Sequence, residues 1–155
     1  MGASDRNKQL VRSYFDAIGA SDLERVASLM APDLRFRCAG GTGAVDSVVF
    51  HSPAELLADL RQSLGGLFDA AVGIAPEILS LTAEEDRVVA EVRIRGRSAH
   101  TGRGYDNLYA FFFWIRDGRF REIHEHLDTA YVNAALLGPA GIASGAELPW
   151  LGRER

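Results

Sequence analysis

The chain has 155 residues, 47% of them apolar and 25% charged, with a formal net charge of −4. That is the length and composition of one globular domain with a core of its own. The acidic balance excludes a general attraction to nucleic acid or anionic membrane, and the longest purely apolar run, Ala110 to Ile115, is far short of the roughly 20 residues a membrane span needs.

The N-terminal stretch MGASDRNKQL has no apolar signal core. Arg6 to Ile18 carries Leu10, Val11, Tyr14, Phe15 and Ile18 at helical spacing, and Gly19 ends it. Ser21-Asp22-Leu23-Glu24 reads as a capping box, opening a second helix with Leu23, Val26, Ala27 and Met30 on its buried face. Pro32 is expected to stop that helix, and Asp33 to Cys38 reads as a short strand. Cys38 is the single cysteine, which excludes an internal disulfide and fits a reducing cytoplasm. AGGTGAVDS is a loop by its glycines. Ser52-Pro53-Ala54-Glu55 opens a third helix with the stripe Leu56, Leu57, Leu60 and Leu64, which Gly65-Gly66 should stop. Strand-like patterns follow near 68–74, 76–83, 87–99, 105–116 and 119–128. Three helices before a mostly antiparallel sheet make an α+β layout. The ordered domain is expected over residues 1–137, with an irregular Gly- and Pro-punctuated tail over 138–155.

Asp117-Gly118 is the strongest hairpin signal in the chain. A two-residue turn there pairs Ile115 with Phe120, Phe113 with Glu122, Phe111 with His124, Tyr109 with His126 and Asn107 with Asp128. Opposed residues share a face, so one face grades from aromatic to polar. The other holds Trp114, Phe112, Ala110, Leu108, Ile123 and Leu127. A sheet with two apolar faces needs two covers. The helices supply one, and a second subunit is the expected other. A turn over Thr101 to Gly104 would place Ser98 opposite Asn107 and Gly96 opposite Tyr109, with Arg93, Arg95 and Arg97 on the second face or its rim.

The stretches LVRSYFDAIGASDLERVASLMAPDLRF, HSPAELL and YDNLYAFFFWIRDGRFREIHEHLD resemble the SnoaL-like group of the NTF2-like superfamily. That group includes ketosteroid isomerases, limonene epoxide hydrolases and polyketide cyclases. The resemblance covers about residues 8 to 132. It implies a cone: a curved sheet wrapped around helices, with a deep apolar pocket and dimers through the outer sheet face. Asp128 matches the acid/base aspartate of the epoxide hydrolases and cyclases. Tyr14 matches the isomerase oxyanion tyrosine. The isomerase base should fall near Cys38, where this chain has no carboxylate. Phe36 and Cys38 stand where the epoxide hydrolases hold a water with Tyr and Asn.

These readings give an expected acid/base site with Asp128 as base or acid, His126 and Asn107 as orienting donors, and Tyr14 as electrophile; the alternative for Asp128 is a structural cap on the sheet end or on the C-terminal turn at Thr129. Tyr109, Phe111, Phe113, Cys38, Phe36 and His124 are expected to line the pocket. His124-Glu125-His126-Leu127-Asp128 also invites a metal reading, but alternate strand residues lie about 7 Å apart, so no metal site is expected. No phosphate-binding glycine motif is present, and no cofactor is expected. The expected function is cofactor-independent isomerase, cyclase or hydrolase chemistry on an apolar small molecule. A non-catalytic carrier domain, or a dimerising module with a vestigial pocket, stay open as alternatives.

Overall fold

The computed structural model describes residues 2–39 and 48–137. The expected Gly-rich loop, apart from its first residue Ala39, and the tail 138–155 lie outside these residues. The order is α1 (Ala3–Gly19), α2 (Leu23–Ser28), β1 (Met30–Ala39), β2 (Val48–Phe50), α3 (Pro53–Leu67), β3 (Ile74–Glu84), β4 (Arg87–Arg97), β5 (Gly104–Arg116), β6 (Arg119–Leu127) and α4 (Thr129–Val132), continued by a π-helical turn at Asn133–Leu137. The α+β class is as expected. Six strands form one sheet in the order β2-β1-β6-β5-β4-β3. Every neighbouring pair is antiparallel except β1 and β6.

Local chemistry explains where the elements start and stop. Ser52 accepts from the Glu55 backbone N–H at 3.2 Å, and Glu55 accepts from the His51 N–H at 2.7 Å, so the expected cap is in place. The second helix is capped by Asp22, one residue later than expected, with a 3.0 Å bond from the Arg25 N–H. It is also shorter. The Phe120 N–H donates to the Leu29 carbonyl, so the chain already joins the sheet there, and Met30 opens β1 instead of riding a helix. Pro32 sits where β1 slips register against β6, a place where a missing N–H costs little. The expected strand at 68–74 is a turn. The Asp69 carbonyl accepts from Val72 and Gly73, and its side chain accepts from Ala71 at 2.9 Å.

α3 runs through Gly65-Gly66 to Leu67, because burial of Leu67 outweighs two poor helix formers. A Cβ at either glycine would meet nothing within 4 Å. Gly65→Ala and Gly66→Ala should therefore each raise stability by about 0.5–1 kcal/mol, read from urea denaturation.

Two registers differ from the sequence reading. β4 and β5 join by a longer turn, in which the Ser98 hydroxyl accepts from the N–H groups of His100 and Thr101 and donates to the Leu136 carbonyl at 2.6 Å. Val92 thus faces Tyr109 and Ile94 faces Asn107. The slip is even, so every side chain keeps its expected face. The β5–β6 hairpin differs more. Its turn is as expected, with Asp117 and Gly118 both at positive φ, and Ile115 faces Phe120. Then Arg121 bulges out, and Phe113 faces Ile123, Phe111 faces Glu125 and Tyr109 faces Leu127. One extra residue turns the rest of β6 over.

The core lies between α1 and the sheet. Val11, Tyr14, Phe15 and Ile18 from α1 meet Phe111, Phe113 and Phe120 from the hairpin, all buried. Phe113 is at its centre, with ring centroids 5.6 Å from Tyr14, 6.0 Å from Phe15 and 5.0 Å from Phe120. The three expected helices are all present, and α4 stands where the alternative reading of Asp128 put a capped C-terminal turn at Thr129.

Candidate active site

The core is not filled to the end. A cavity of about 110 Å³ lies between α1, α3 and the inner faces of β1, β5 and β6. That is at the small end for a ligand site and suits a compact ring or short chain. Val132 and Leu136 from the C-terminal turn close one side. Aromatic and aliphatic side chains dominate the walls.

The bulge decides which polar group enters. Inward-facing Ile123, Glu125 and Leu127 alternate along β6, and Glu125 sits beside Phe111 on one side and Cys38 on the other. The Glu125 carboxylate lines the cavity and accepts a hydrogen bond from the Cys38 thiol. Burial pushes its pKa up to about 7; the thiol bond opposes the rise, and the charge of Asp59 adds to it. Asp59 lines the α3 wall, with the Ser63 hydroxyl donating to it at 3.3 Å.

The same cavity holds a hydrogen-bonded chain of hydroxyls. The Leu108 N–H donates to Asn107 Oδ1 at 2.9 Å, which fixes the amide orientation. Asn107 Nδ2 then donates to Tyr105 Oη at 3.0 Å and to the Asp128 carbonyl at 3.3 Å. The Tyr105 and Tyr109 hydroxyls are 2.5 Å apart. Tyr105 Oη has a second lone pair, so either hydroxyl can donate to the other, and the pair shares one hydrogen bond at the cavity wall. Burial holds the phenol pKa of Tyr105 up at about 12, and those of Tyr14 and Tyr109 are raised further by burial and negative charge nearby. These phenols stay protonated donors. The Cys38 thiol is likewise pushed up, first by burial and then by Glu125, so it is a donor and no nucleophile.

The SnoaL-like domain family matches residues 11–123. The chain belongs to the SnoaL-like family. No functionally curated protein matches it significantly. Among solved structures it resembles a putative SnoaL-like polyketide cyclase from Jannaschia sp., at 20% identity and TM-score 0.73, over 90% of this chain and 96% of that one. It also resembles an LEH-like epoxide hydrolase from M. tuberculosis, at 16% identity and TM-score 0.67, over 94% and 98% of the two chains. A putative ketosteroid isomerase from Kribbella flavida matches at 17% identity and TM-score 0.62, over 83% and 82%. Identities this low establish the shared NTF2-like cone fold and leave chemistry to the site.

In this SnoaL-like chain the expected site residues divide by face. Tyr14, Phe36, Cys38, Tyr109 and Phe111 line the cavity as expected. Phe113 lies beneath it in the core, and Asn107 acts on it through Tyr105. His124 and His126 are on the outer face, since the bulge pairs them with Phe112 and Ala110. There Arg37 Nη2 donates to His124 Nδ1 at 2.9 Å, so the His124 proton sits on Nε2, which donates to Glu122 at 2.6 Å. His126 packs edge-on against Phe112, its pKa lowered by burial and then by Arg37 and His124. Asp128 is exposed and caps α4, accepting from the Tyr131 N–H at 3.0 Å. Asp128→Ala should thus cost about 1 kcal/mol in chemical denaturation and leave ligand affinity unchanged.

The residues missed were Glu125, Tyr105 and Asp59. Each had a signal. Glu125 sits between Ile123 and Leu127 at strand alternation. Tyr105 shares the face of Asn107 and Tyr109. Asp59 interrupts an apolar helix face with Leu56, Leu60 and Ser63 at helical spacing. Among the described residues no group of three His, Cys, Asp or Glu is placed to hold a metal ion, and no helix is long and apolar enough to cross a membrane.

Proposed function

We propose that this protein is a cofactor-independent acid/base enzyme acting on an apolar carbonyl or ring compound, with Glu125 as the proton-transfer group. The supporting observation is a carboxyl group held near pKa 7 in a cavity with aromatic walls that also holds the hydrogen-bonded Tyr105 and Tyr109 hydroxyls. Near neutrality such a group is partly base and partly acid, the condition for efficient proton transfer. In the base form Glu125 takes a proton from the carbon beside the carbonyl. The electron pair moves onto the carbonyl oxygen, which accepts the Tyr109 hydroxyl hydrogen bond. Return of the proton to another carbon gives an isomer; attack of the enolate carbon on a second carbonyl of the same molecule gives a ring. Tyr109 is the oxyanion donor, Tyr105 and Asn107 orient it, and Tyr14 is a second phenol at the wall. The test is turnover of SnoaL-type substrates by wild type and Glu125→Gln. A bell-shaped or sigmoid rate profile centred near pH 7, lost in the variant, supports the reading. A variant with wild-type turnover overturns it.

We also propose a homodimer through the outer sheet face. Leu108 is 55% exposed there, beside half-buried Phe112 and Trp114. Charges of both signs surround this apolar centre, among them Arg93 paired with Asp106 and Arg95 paired with Glu77. A mixed-charge rim around an apolar centre is self-complementary under a two-fold axis. Sedimentation of wild type and Trp114→Glu at micromolar concentration checks this: a dimer converted to monomer is expected, and a wild-type monomer sinks it.

A further inference from the structure

We propose that His126 makes the pairing of two copies through the outer sheet face sensitive to acid: the neutral ring seats the second copy, and the protonated ring releases it. This rests on the homodimer reading above and adds its regulation.

The strand pairings map the face. Arg37 of β1, His124 of β6, Phe112 of β5 and Val89 of β4 lie side by side in one row. The next row of that face runs Ala39, His126, Ala110 and Glu91. Leu108 and Trp114 continue β5 on either side of these rows. The His124 ring lies 4.6 Å from the Trp114 ring, and the His126 ring stands edge-on to Phe112 at 5.6 Å. A partner that covers Leu108, Phe112 and Trp114 therefore covers both histidines.

The two rings differ. His124 is held at both nitrogens, by Arg37 and by Glu122. Among the described residues no group hydrogen-bonds the His126 ring. Its charged neighbours are Arg37 from β1 and His124 from β6. β5 presents only Phe112 and Ala110 to it. Glu122 is taken up by His124, and Glu91 of β4 shares the row with Ala110 in between. Arg37 Nε is itself buried and without an acceptor among the described residues. Positive charge is thus already short of countercharge here, and a proton on His126 adds to it.

Burial, then Arg37 and His124, lower the His126 pKa below the ordinary histidine value in the single copy. A partner seated on the face buries the ring further and lowers it again. Protons therefore bind the free copy better than the pair, and proton binding and pairing oppose each other. Pairing has its full strength above the pKa of the free copy and weakens as pH falls through it. Each dimer contains two such rings, so the effect enters twice. The net charge of −4 acts in the opposite sense. It shrinks as the chain takes up protons, which lessens repulsion between copies. Weakening in acid is therefore a mark of the local cluster.

The experiment is sedimentation equilibrium of the full chain across the pH range, with circular dichroism on the same samples. The wild-type dimer dissociation constant should rise at least about tenfold from about pH 7.5 to about pH 5, with the fold retained. In His126→Gln the rise should fall to about threefold or less. Should the glutamine variant not pair at all, His126→Phe takes its place, since it keeps a ring on Phe112 without a charge. A wild-type constant that is unchanged or tighter in acid overturns the proposal and leaves the dimer standing. So does wild-type pH dependence in the His126 variants, or loss of the fold together with dissociation. A wild-type monomer at about pH 7.5 removes the dimer reading and this inference with it.

Discussion

Glu125→Gln should abolish turnover and at the same time remove a pH dependence from the stability of the protein. The second effect needs no substrate. The Glu125 pKa rises from the ordinary 4.5 to about 7 on folding. Between those values the unfolded chain has lost the proton while the native protein still holds it. Native Glu125 therefore binds more protons, and stability falls as pH rises. The contribution is fully present below about pH 4.5, declines through the interval, and is lost above about pH 7. About 2.5 units at 1.36 kcal/mol each gives roughly 3 kcal/mol. Glutamine carries no charge and has no such term. The stability of wild type minus that of Glu125→Gln should thus fall by roughly 3 kcal/mol between about pH 4 and pH 8. For a chain of this length that is a difference of about 6–12 °C in melting temperature. Parallel stability curves for the two proteins would show that Glu125 titrates normally and remove the physical basis of the site. The loss of turnover expected from deleting a general base is about 10²- to 10⁴-fold.

This effect joins two properties of one residue. A carboxyl group tuned for proton transfer at neutral pH is destabilising once it ionises, because the burial that raises its pKa is burial of a charge. The neighbours fit that compromise. The Cys38 thiol gives the carboxylate one hydrogen bond, enough to stop the pKa rising further. Asp59 pushes the other way. The hydroxyls of Tyr105 and Tyr109 are held on one strand with Asn107, so they are positioned before any ligand arrives.

Much of the fold was legible in the sequence because its signals are local. Helical spacing in Leu10 to Ile18, the Ser52-Pro53-x-Glu55 start and the Asp117-Gly118 turn each act within a few residues. The β4–β5 slip did no harm, since an even shift preserves faces. The site was harder to read, for one physical reason: which face a strand residue occupies depends on every residue between it and the turn. Counting back from Asp117-Gly118 is correct as far as Phe120. It fails at Arg121, where both Phe120 and Ile123, three apart, are wholly buried. No unbulged strand can bury both on one face. The apolar spacing was visible, and weighing it above the plain count would have turned Glu125 inward and the two histidines outward. The Asp128 backbone carbonyl is held by Asn107, but its side chain serves the next helix. The hairpin count brought Asp128 to the right neighbour with its side chain in another role.

Deleting Arg121 should leave the fold and the site in place. The residue is the extra one in β6: Trp114 faces Glu122 and Ile115 faces Phe120, with Arg121 unmatched between them. Without it, Glu122 follows Phe120 directly and the strand alternates regularly. Glu122 still faces Trp114, Ile123 still faces Phe113, and Glu125 and Leu127 stay on the inner face opposite Phe111 and Tyr109. What is lost is the local twist of the bulge and the exposed ion pair to Asp33, the latter worth at most about 1 kcal/mol. Deleting His124 is the contrasting change. Glu125 then follows Ile123 directly. Either Ile123 keeps its place and Glu125 and Leu127 turn outward with His126 inward, or Glu125 keeps its place and Glu122 replaces Ile123 in the core. Each outcome exposes an apolar side chain, at about 1.5–3 kcal/mol, and turns an unpaired ionisable group inward, at several kcal/mol more. Circular dichroism and thermal melts separate the two: the Arg121 deletion should melt cooperatively within several degrees of wild type, and the His124 deletion should lose most of its cooperative transition. An Arg121 deletion that fails to fold cooperatively would mean that the bulge itself, and not the face assignment it sets, is what the hairpin needs.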